Sequence, residues 1–235
     1  MRINKFLASA GFGSRRKCED LVKEGRVKCN DEVIVDLGFS VDEKKDKISV
    51  DGKIVSYSSE FVYVMLHKPK GVITSMSDEH GRKTVKDIMP SEYKNLKPVG
   101  RLDYDSEGLL LMTNDGDLSY VLTHPSNEIA KTYVVRVEGE VKESQLAVMR
   151  AGVVIDGVRL SKCKVKVLEK LEKDTRLEVV ITEGKNRQVR KMFDAVGLTV
   201  VFLKRTHIGA LRLGGLTRGA YRLLNDQEIA YLKSL

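Results

Sequence analysis

The stretch Leu109-Leu110-Leu111-Met112 constrains the fold of this chain more than any other. It runs unbroken between Gly108 and the turn signal Asn114-Asp115-Gly116, and an apolar run of that length between turn signals reads as a buried strand. Residues 61–66 form a second such run, leading to Lys68-Pro69-Lys70-Gly71. Proline followed two places later by glycine marks a tight turn, and the two lysines give it a basic lip, open to a phosphate contact or to plain solvation. Neither run approaches the eighteen or so apolar residues of a membrane span.

Directly before the first run stands Gly100-Arg101-Leu102-Asp103. Asp103 is thereby placed on a loop braced by the core, where reactive groups are commonly carried. Aspartate ahead of a buried strand is most often an Asx-turn residue, and that reading is kept for Asp105, Asp115 and Asp117. Asp105, two residues beyond Asp103, could share a face with it, and paired carboxylates would suit hydrolysis of a glycosidic bond.

Charge points to the kind of partner. The net charge is +8, but residues 1–28 hold eight Lys/Arg against three Asp/Glu and residues 182–222 hold nine against two. Those zones carry +5 and +7, which leaves −4 on everything else. Two basic zones on a mildly acidic remainder form a footprint for a polyanion. Three cysteines without short paired spacing, Cys18, Cys29 and Cys163, favour neither a disulfide framework nor a zinc site. No glycine-rich dinucleotide loop and no P-loop lysine motif is present. No signal-peptide segment follows Met1, so the expectation is a cytoplasmic protein with no membrane association.

Along the chain, Ile3, Phe6, Leu7 and Ala10 recur at helical spacing, and Gly11 can end that helix. Ser14 is placed to cap a second helix that buries Cys18, Leu21 and Val22 and ends at Gly25. Arg15, Arg16 and Lys17 project from its first turn, where the helix dipole disfavours cations, a local cost that points to a partner outside the fold. Short strands are expected at 26–29 and 33–35 about Asn30-Asp31, with another hairpin turn at Asp51-Gly52. The polar break Tyr57-Ser58-Ser59-Glu60 serves as the linker, giving domains 1–56 and 61–235.

Beyond the linker the pattern predicts a short helix over 84–89 and another through Leu118, Val121 and Leu122. Residues 131–137 alternate with Tyr133, Val135 and Val137 on one side. A helix around Leu146 and Met149, two strands within 153–170 and an alternating strand through Leu177, Val179 and Ile181 follow. The next helix buries Val189, Met192, Phe193 and Val196, with Arg187, Arg190 and Lys191 off that face. A strand over 199–203 and a final helix from Asn225, boxed by Glu228, complete the chain. Many strands, few helices and no βαβ rhythm predict an α+β fold with a mostly antiparallel sheet.

The first fifth of the chain resembles the S-four-like domain, an RNA-binding module named after a small-subunit ribosomal protein. The likeness lies in the helix pair, the Ser14-Arg15-Arg16-Lys17 turn and the Gly25-Arg26-Val27 strand entry, with Asn30-Asp31 where the module usually has Asn-Gly. Essentially the whole chain resembles the pseudouridine synthases, in the branch that modifies ribosomal RNA and carries that module in front. Four motifs carry this likeness: Lys68-Pro69-Lys70-Gly71; Gly100-Arg101-Leu102-Asp103 with its trailing Gly108-Leu109-Leu110; Lys131-Thr132-Tyr133; and Glu183-Gly184-Lys185-Asn186-Arg187-Gln188-Val189-Arg190.

The resemblance implies a small N-terminal α/β RNA-binding module and a larger catalytic domain with a mixed, mostly antiparallel sheet. It also implies that Asp103 is the essential carboxylate, that Tyr133 packs on the target uracil, and that Arg190 pairs with Asp103. Isomerising uridine moves no atom in or out, so neither cofactor nor metal is required. Asp103 can act as a nucleophile on the sugar or as a base toward a ribose proton. Arg101 is placed to fill the gap left by the displaced base or to hold a phosphate. Arg2, Lys5, Arg15, Arg16 and Lys17 in the first basic zone, and Arg187 and Lys191 in the second, are the expected RNA contacts.

The expected substrate is ribosomal RNA or a pre-ribosomal particle, met by a monomer. The Asn186-Arg187-Gln188 form and Tyr104 look more like the large-subunit members of the branch. The alternative is a non-catalytic RNA-binding or ribosome-assembly factor, with an RNA glycosidase a distant third.

Overall fold

The computed structural model describes residues 1–55, 60–155 and 157–235, so Tyr57, Ser58 and Ser59 of the linker lie outside the described residues. The chain divides into two compact units, Met1–Phe61 and Val62–Leu235.

In the first unit, helices α1 (Ile3–Ser9) and α2 (Arg15–Lys23) precede four short strands, β1 (Val27–Cys29), β2 (Glu32–Val33), β3 (Ile48–Val50) and β4 (Lys53–Ile54). The strands pair antiparallel in the order β2-β1-β3-β4. Ser14 caps α2, its hydroxyl accepting the Lys17 N–H at 3.2 Å. Asn30 and Asp31 turn the first hairpin at φ 50° and 72°, the left-handed pair that a two-residue turn of this hand demands, so aspartate serves where glycine is usual. Ile3, Leu7, Cys18, Val22, Val27 and Ile48 fill a small core, and Arg15, Arg16 and Lys17 are exposed.

The second unit runs β5 (Tyr63–Lys68), α3 (Val85–Ile88), β6 (Lys97–Val99), β7 (Glu107–Thr113), α4 (Gly116–Thr123), β8 (Lys131–Glu138) and α5 (Glu143–Ala151). It continues through β9 (Val154–Ile155), β10 (Val158–Arg159), β11 (Lys164–Lys170), β12 (Asp174–Ile181), α6 (Gln188–Asp194), β13 (Val200–Ile208), β14 (Leu211–Arg212), β15 (Tyr221–Leu223) and α7 (Asp226–Lys233). Nine of these strands form one sheet in the order β11-β12-β8-β13-β7-β5-β15, with β14 beside β13 and β6 beside β7. The β13–β7 pairing is parallel and the others are antiparallel, so the sheet is mixed.

The run at 109–112 lies within β7, and the run at 61–66 forms β5 only from Tyr63 onward, Phe61 being exposed; β5 and β7 are neighbours near one end of this sheet. Val64, Leu66, Leu110 and Met112 pack to one side with residues of α5 and α6, while Tyr63, Met65, Leu109 and Leu111 pack to the other with residues of α4 and α7. A sheet covered on both faces leaves no position for a polar alternate, which is why these strands read as unbroken runs. In β8, Tyr133, Val135 and Val137 are buried while Arg136 and Glu138 are exposed, and the sequence alternates accordingly.

Several elements differ from expectation. Residues 97–99 pair with β7 as an edge strand in which Pro98 is tolerated. Residues 153–170 yield three strands rather than two, and β13 extends to Ile208 because pairing with β8 and β7 holds its polar half in the sheet. Arg190, expected off the buried face of α6, is only 8% exposed. Among the described residues no helix is long and apolar enough to cross a membrane.

Candidate active site

The loop from β6 to β7 is held by its own carbonyl groups. Lys68, the last residue of β5, is fully buried, and its ammonium donates to the carbonyls of Pro69 at 3.0 Å, Asp103 at 2.9 Å and Ser106 at 2.8 Å. The Thr74 hydroxyl donates to Leu102 O at 2.7 Å, the Gly71 N–H to Tyr104 O at 2.8 Å, and Arg190 Nη2 to Asp105 O at 3.0 Å. Each carbonyl from Leu102 to Ser106 therefore accepts a bond from outside the loop's own strand, which fixes its backbone. Burial pushes the Lys68 ammonium down to about 8, against the opposing pull of Asp103 and Asp105. Lys68 thus belongs to no solvent-facing lip; of the two lysines in the turn only Lys70 is exposed, with its ammonium 5.1 Å from the Phe202 ring centre.

The two carboxylates of the loop are treated differently. Arg187 forks onto Asp105 at 3.1 and 3.2 Å, and Arg190 Nε lies 3.2 Å from Asp105 Oδ2. The pairing of Arg190 with Asp103 that the resemblance implies is thus replaced by a pairing with Asp105. Arg190 Nη1 also donates to Val200 O at 3.0 Å, which anchors the guanidinium where Asp105 meets it. Burial opposes ionisation of Asp105, but the Arg187 hydrogen bond and both arginine charges outweigh it and hold this carboxyl below the usual carboxylate range. Asp105 is accordingly an ion-paired brace rather than an Asx-turn residue, and it is no second free carboxylate for hydrolysis. Among the described residues the Asp103 carboxylate accepts no hydrogen bond and enters no ion pair, though its charge acts on Arg187 and on Lys68.

Asp103 faces a cleft of about 450 Å³ whose lining includes Arg101, Lys131, Tyr133, Arg187 and Arg205 among apolar side chains such as Leu102, Ile181 and Leu203. Register explains the gathering. Tyr133 on β8 lies opposite Arg205 on β13, Arg205 opposite Gly108 on β7, and Gly108 opposite Lys68 on β5. Gly108 sits at φ 119°, and a Cβ there would lie 2.2 Å from the Arg205 carbonyl oxygen, so only glycine permits this approach. Tyr133 is 8% exposed and lines the cleft.

Arg101 is exposed at the cleft, and Arg187 lines it while bound to Asp105. Lys191 and Arg190 do not line it, and Arg2, Lys5, Arg15, Arg16 and Lys17 belong to the first unit. Sequence reasoning missed Lys68, Lys131 and Arg205 as site residues. A lysine at the end of a mostly apolar strand, and for Lys131 its place two residues before Tyr133, were the available signals; Arg205 offered none.

Residues 62–195 match the model of the RNA pseudouridylate synthase family, and residues 1–48 match the S4 domain. The chain belongs to the RNA pseudouridine synthase family. It is 42% identical to ribosomal large subunit pseudouridine synthase B of Bacillus subtilis, covering 100% of this chain and 96% of that one. It is 40% identical to an uncharacterised RNA pseudouridine synthase of Aquifex aeolicus, covering 99% and 93%. A crystal structure of a pseudouridylate synthase superposes with a TM-score of 0.72 at 30% identity over 99% of both chains. As a member of this family the synthase is an RNA isomerase with an S4 domain at its N-terminus.

Proposed function

We propose that the synthase converts a uridine of large-subunit ribosomal RNA to pseudouridine, using the Asp103 carboxylate and no cofactor. One observation carries this reading. In a loop whose five successive carbonyls are tied down and whose Asp105 is neutralised by two arginines, Asp103 alone presents an unpartnered carboxylate to the cleft.

The reaction breaks the bond from ribose C1′ to uracil N1, turns the base and joins C1′ to C5, with the C5 proton released to water. Asp103 serves it as nucleophile on C1′ or as base toward a ribose proton. A rigid loop matters for either route, because misplacing a reacting group by about 1 Å costs on the order of 100-fold in rate. Tyr133 gives the extruded uracil a flat apolar surface, and Arg101 fills the stack or holds a phosphate. Arg187 and Arg190 act through Asp105, keeping the loop in place.

The module 1–56 grips the RNA through Arg2, Lys5, Arg15, Arg16 and Lys17, and Arg187 and Lys191 add to the grip from the domain 61–235, where the chemistry takes place. The synthase works as a monomer in the cytoplasm. The name of the Bacillus relative supports the large subunit as target.

Uridine tritiated at carbon five in a ribosomal RNA transcript should lose label to water with the unchanged chain. Asp103→Asn should lower that release by at least about 10³-fold while RNA binding and thermal stability persist; full activity in this variant would overturn the assignment. Mapping pseudouridine in ribosomal RNA from cells with and without the gene decides the subunit, and sedimentation of the chain decides the monomer.

A further inference from the structure

Two cations that line the cleft are paired with no carboxylate of the described residues. Arg205 is 4% exposed; its Nε donates to Leu109 O at 2.8 Å, and its Nη2 is buried without a hydrogen-bond partner among the described residues. Lys131 is half-buried and makes one long bond, 3.4 Å to Thr182 O. Neither enters an ion pair with a described residue. Tyr133 lies opposite Arg205, and Lys131, two residues from Tyr133 on the same strand, shares its face, so the two cations flank the tyrosine within one cleft. They repel each other: burial lowers the Lys131 ammonium, and the Arg205 charge lowers it further.

Other cations of this region are compensated. Lys68 has three carbonyls, and Arg190 has Asp105 with two carbonyls. A buried cation left unpaired is costly, and a concave site that retains the buried Arg205 beside the half-buried Lys131 is suited to an anion from solution. Uracil is neutral and cannot balance them. A phosphodiester can, because its two non-bridging oxygens offer one acceptor to the guanidinium and one to the ammonium.

We infer that Arg205 and Lys131 form a phosphate pocket that takes a phosphodiester adjoining the target uridine and so sets the ribose against Asp103. This inference rests on the reading of the cleft as the RNA site. Both residues act as positioning groups.

The test compares binding of uridine, uridine 3′-monophosphate and uridine 5′-monophosphate to the full chain, by calorimetry or ligand-observed NMR. At least one monophosphate should bind about 10-fold tighter than uridine, corresponding to one phosphate held by two cations. Lys131→Gln should abolish that advantage without changing the affinity for uridine, and Lys131→Arg should restore it, which a merely structural lysine would not do. With a large-subunit ribosomal RNA transcript, Lys131→Gln should reduce the slope of log affinity against log salt by about 0.7 and raise KM for tritium release more than it lowers kcat.

Arg205→Lys, which keeps the charge, serves as the second variant, and thermal unfolding checks that each variant folds. A phosphate advantage that is absent in the unchanged chain, or undiminished in Lys131→Gln, overturns the pocket. Tritium release that survives Asp103→Asn instead overturns the catalytic reading, so the two failures are distinguishable.

Discussion

Arg15, Arg16 and Lys17 stand exposed on the first turn of α2, each an open charge, whereas Lys68, Arg190 and Arg205 lie around the β6–β7 loop and the cleft with little or no exposure. The same residue types do opposite work in the two places. On the N-terminal unit the proposed use of the charge is affinity for a polyanion, and the helix bears a small dipole cost for it. Beneath the cleft the charge shapes the protein: Lys68 and Arg190 pin loop carbonyls, and Arg205 holds Leu109 O with one nitrogen and leaves another for a ligand. Substitutions in the first region should therefore alter binding and its salt dependence, and those in the second should alter rate and stability together.

The comparison breaks hardest at Gly108. Gly108→Ala drives a methyl group into the Arg205 carbonyl at a backbone angle that L side chains rarely adopt, costing about 3–5 kcal/mol. Calorimetry should show the melting transition falling by about 10 °C, with tritium release lost.

Lys68→Met leaves the Ser106 carbonyl without its donor and the Asp103 carbonyl with the Ser106 N–H as its remaining one. The expected loss is about 2–4 kcal/mol and about 100-fold in kcat. The unchanged chain should report the same clamp through pH. As pH rises through about 8, Lys68 gives up a proton and keeps two N–H donors for three carbonyls, so kcat falls on the alkaline side. The unfolded chain holds that proton up to its ordinary value of 10.5. The unfolded state thus binds more protons between those values, and the contribution of Lys68 to stability rises with pH there. Rate and stability moving in opposite directions above pH 8 is the signature; a flat kcat would break it.

Asp105→Asn removes the partner of Arg187 and Arg190 while leaving the Asp103 carboxylate intact. A roughly 10-fold loss in kcat and about 1 kcal/mol in stability are expected, with RNA affinity little changed. The carboxyl of Asp105 is held low, so its contribution is present above the usual carboxylate range and is lost as pH falls through its depressed value. Acid unfolding of the variant should accordingly be less steep than that of the unchanged chain.

The smallest effect on the fold belongs to the other region. Replacing Arg15, Arg16 and Lys17 by alanine together should change stability by less than about 0.5 kcal/mol and leave kcat at saturating RNA unchanged. The salt slope of RNA binding, measured by titration, should nonetheless fall by about 2. A loss of kcat in this variant would dissolve the division of labour between the two units.

Much of the architecture is legible because it is local. Ser14 and Asn225 cap the helices they were placed to cap, and Asn30-Asp31 and Asp51-Gly52 adopt the left-handed pairs their hairpins demand. β5 and β7 are buried throughout, and their apolar residues from Tyr63 to Leu66 and from Leu109 to Met112 were expected to be. The second half of β13 was illegible, since Lys204, Arg205, Thr206 and His207 carry no strand pattern of their own. They are held in the sheet by β8, about seventy residues earlier in the chain, and, at Lys204 and Arg205, by β7 as well.

The sequence by itself determined where turns fall and which runs must be buried, and its resemblance to a known family implied that Asp103, Tyr133 and the Arg187–Arg190 segment work together. Only the tertiary structure decided which carboxylate each arginine meets. Arg187 and Asp105 are separated by 82 positions, and nothing nearby in the chain distinguishes Asp105 from Asp103 as a partner. Only the tertiary structure, likewise, turned Lys68 from a solvated lysine into the buried clamp of the loop and exposed Arg205 as a cation without a counter-charge. The physical reason is range. Backbone propensity, capping and turn chemistry act over a few residues and can be read in order. The partner of a long charged side chain is fixed by strand register and burial, which exist only once distant segments have packed.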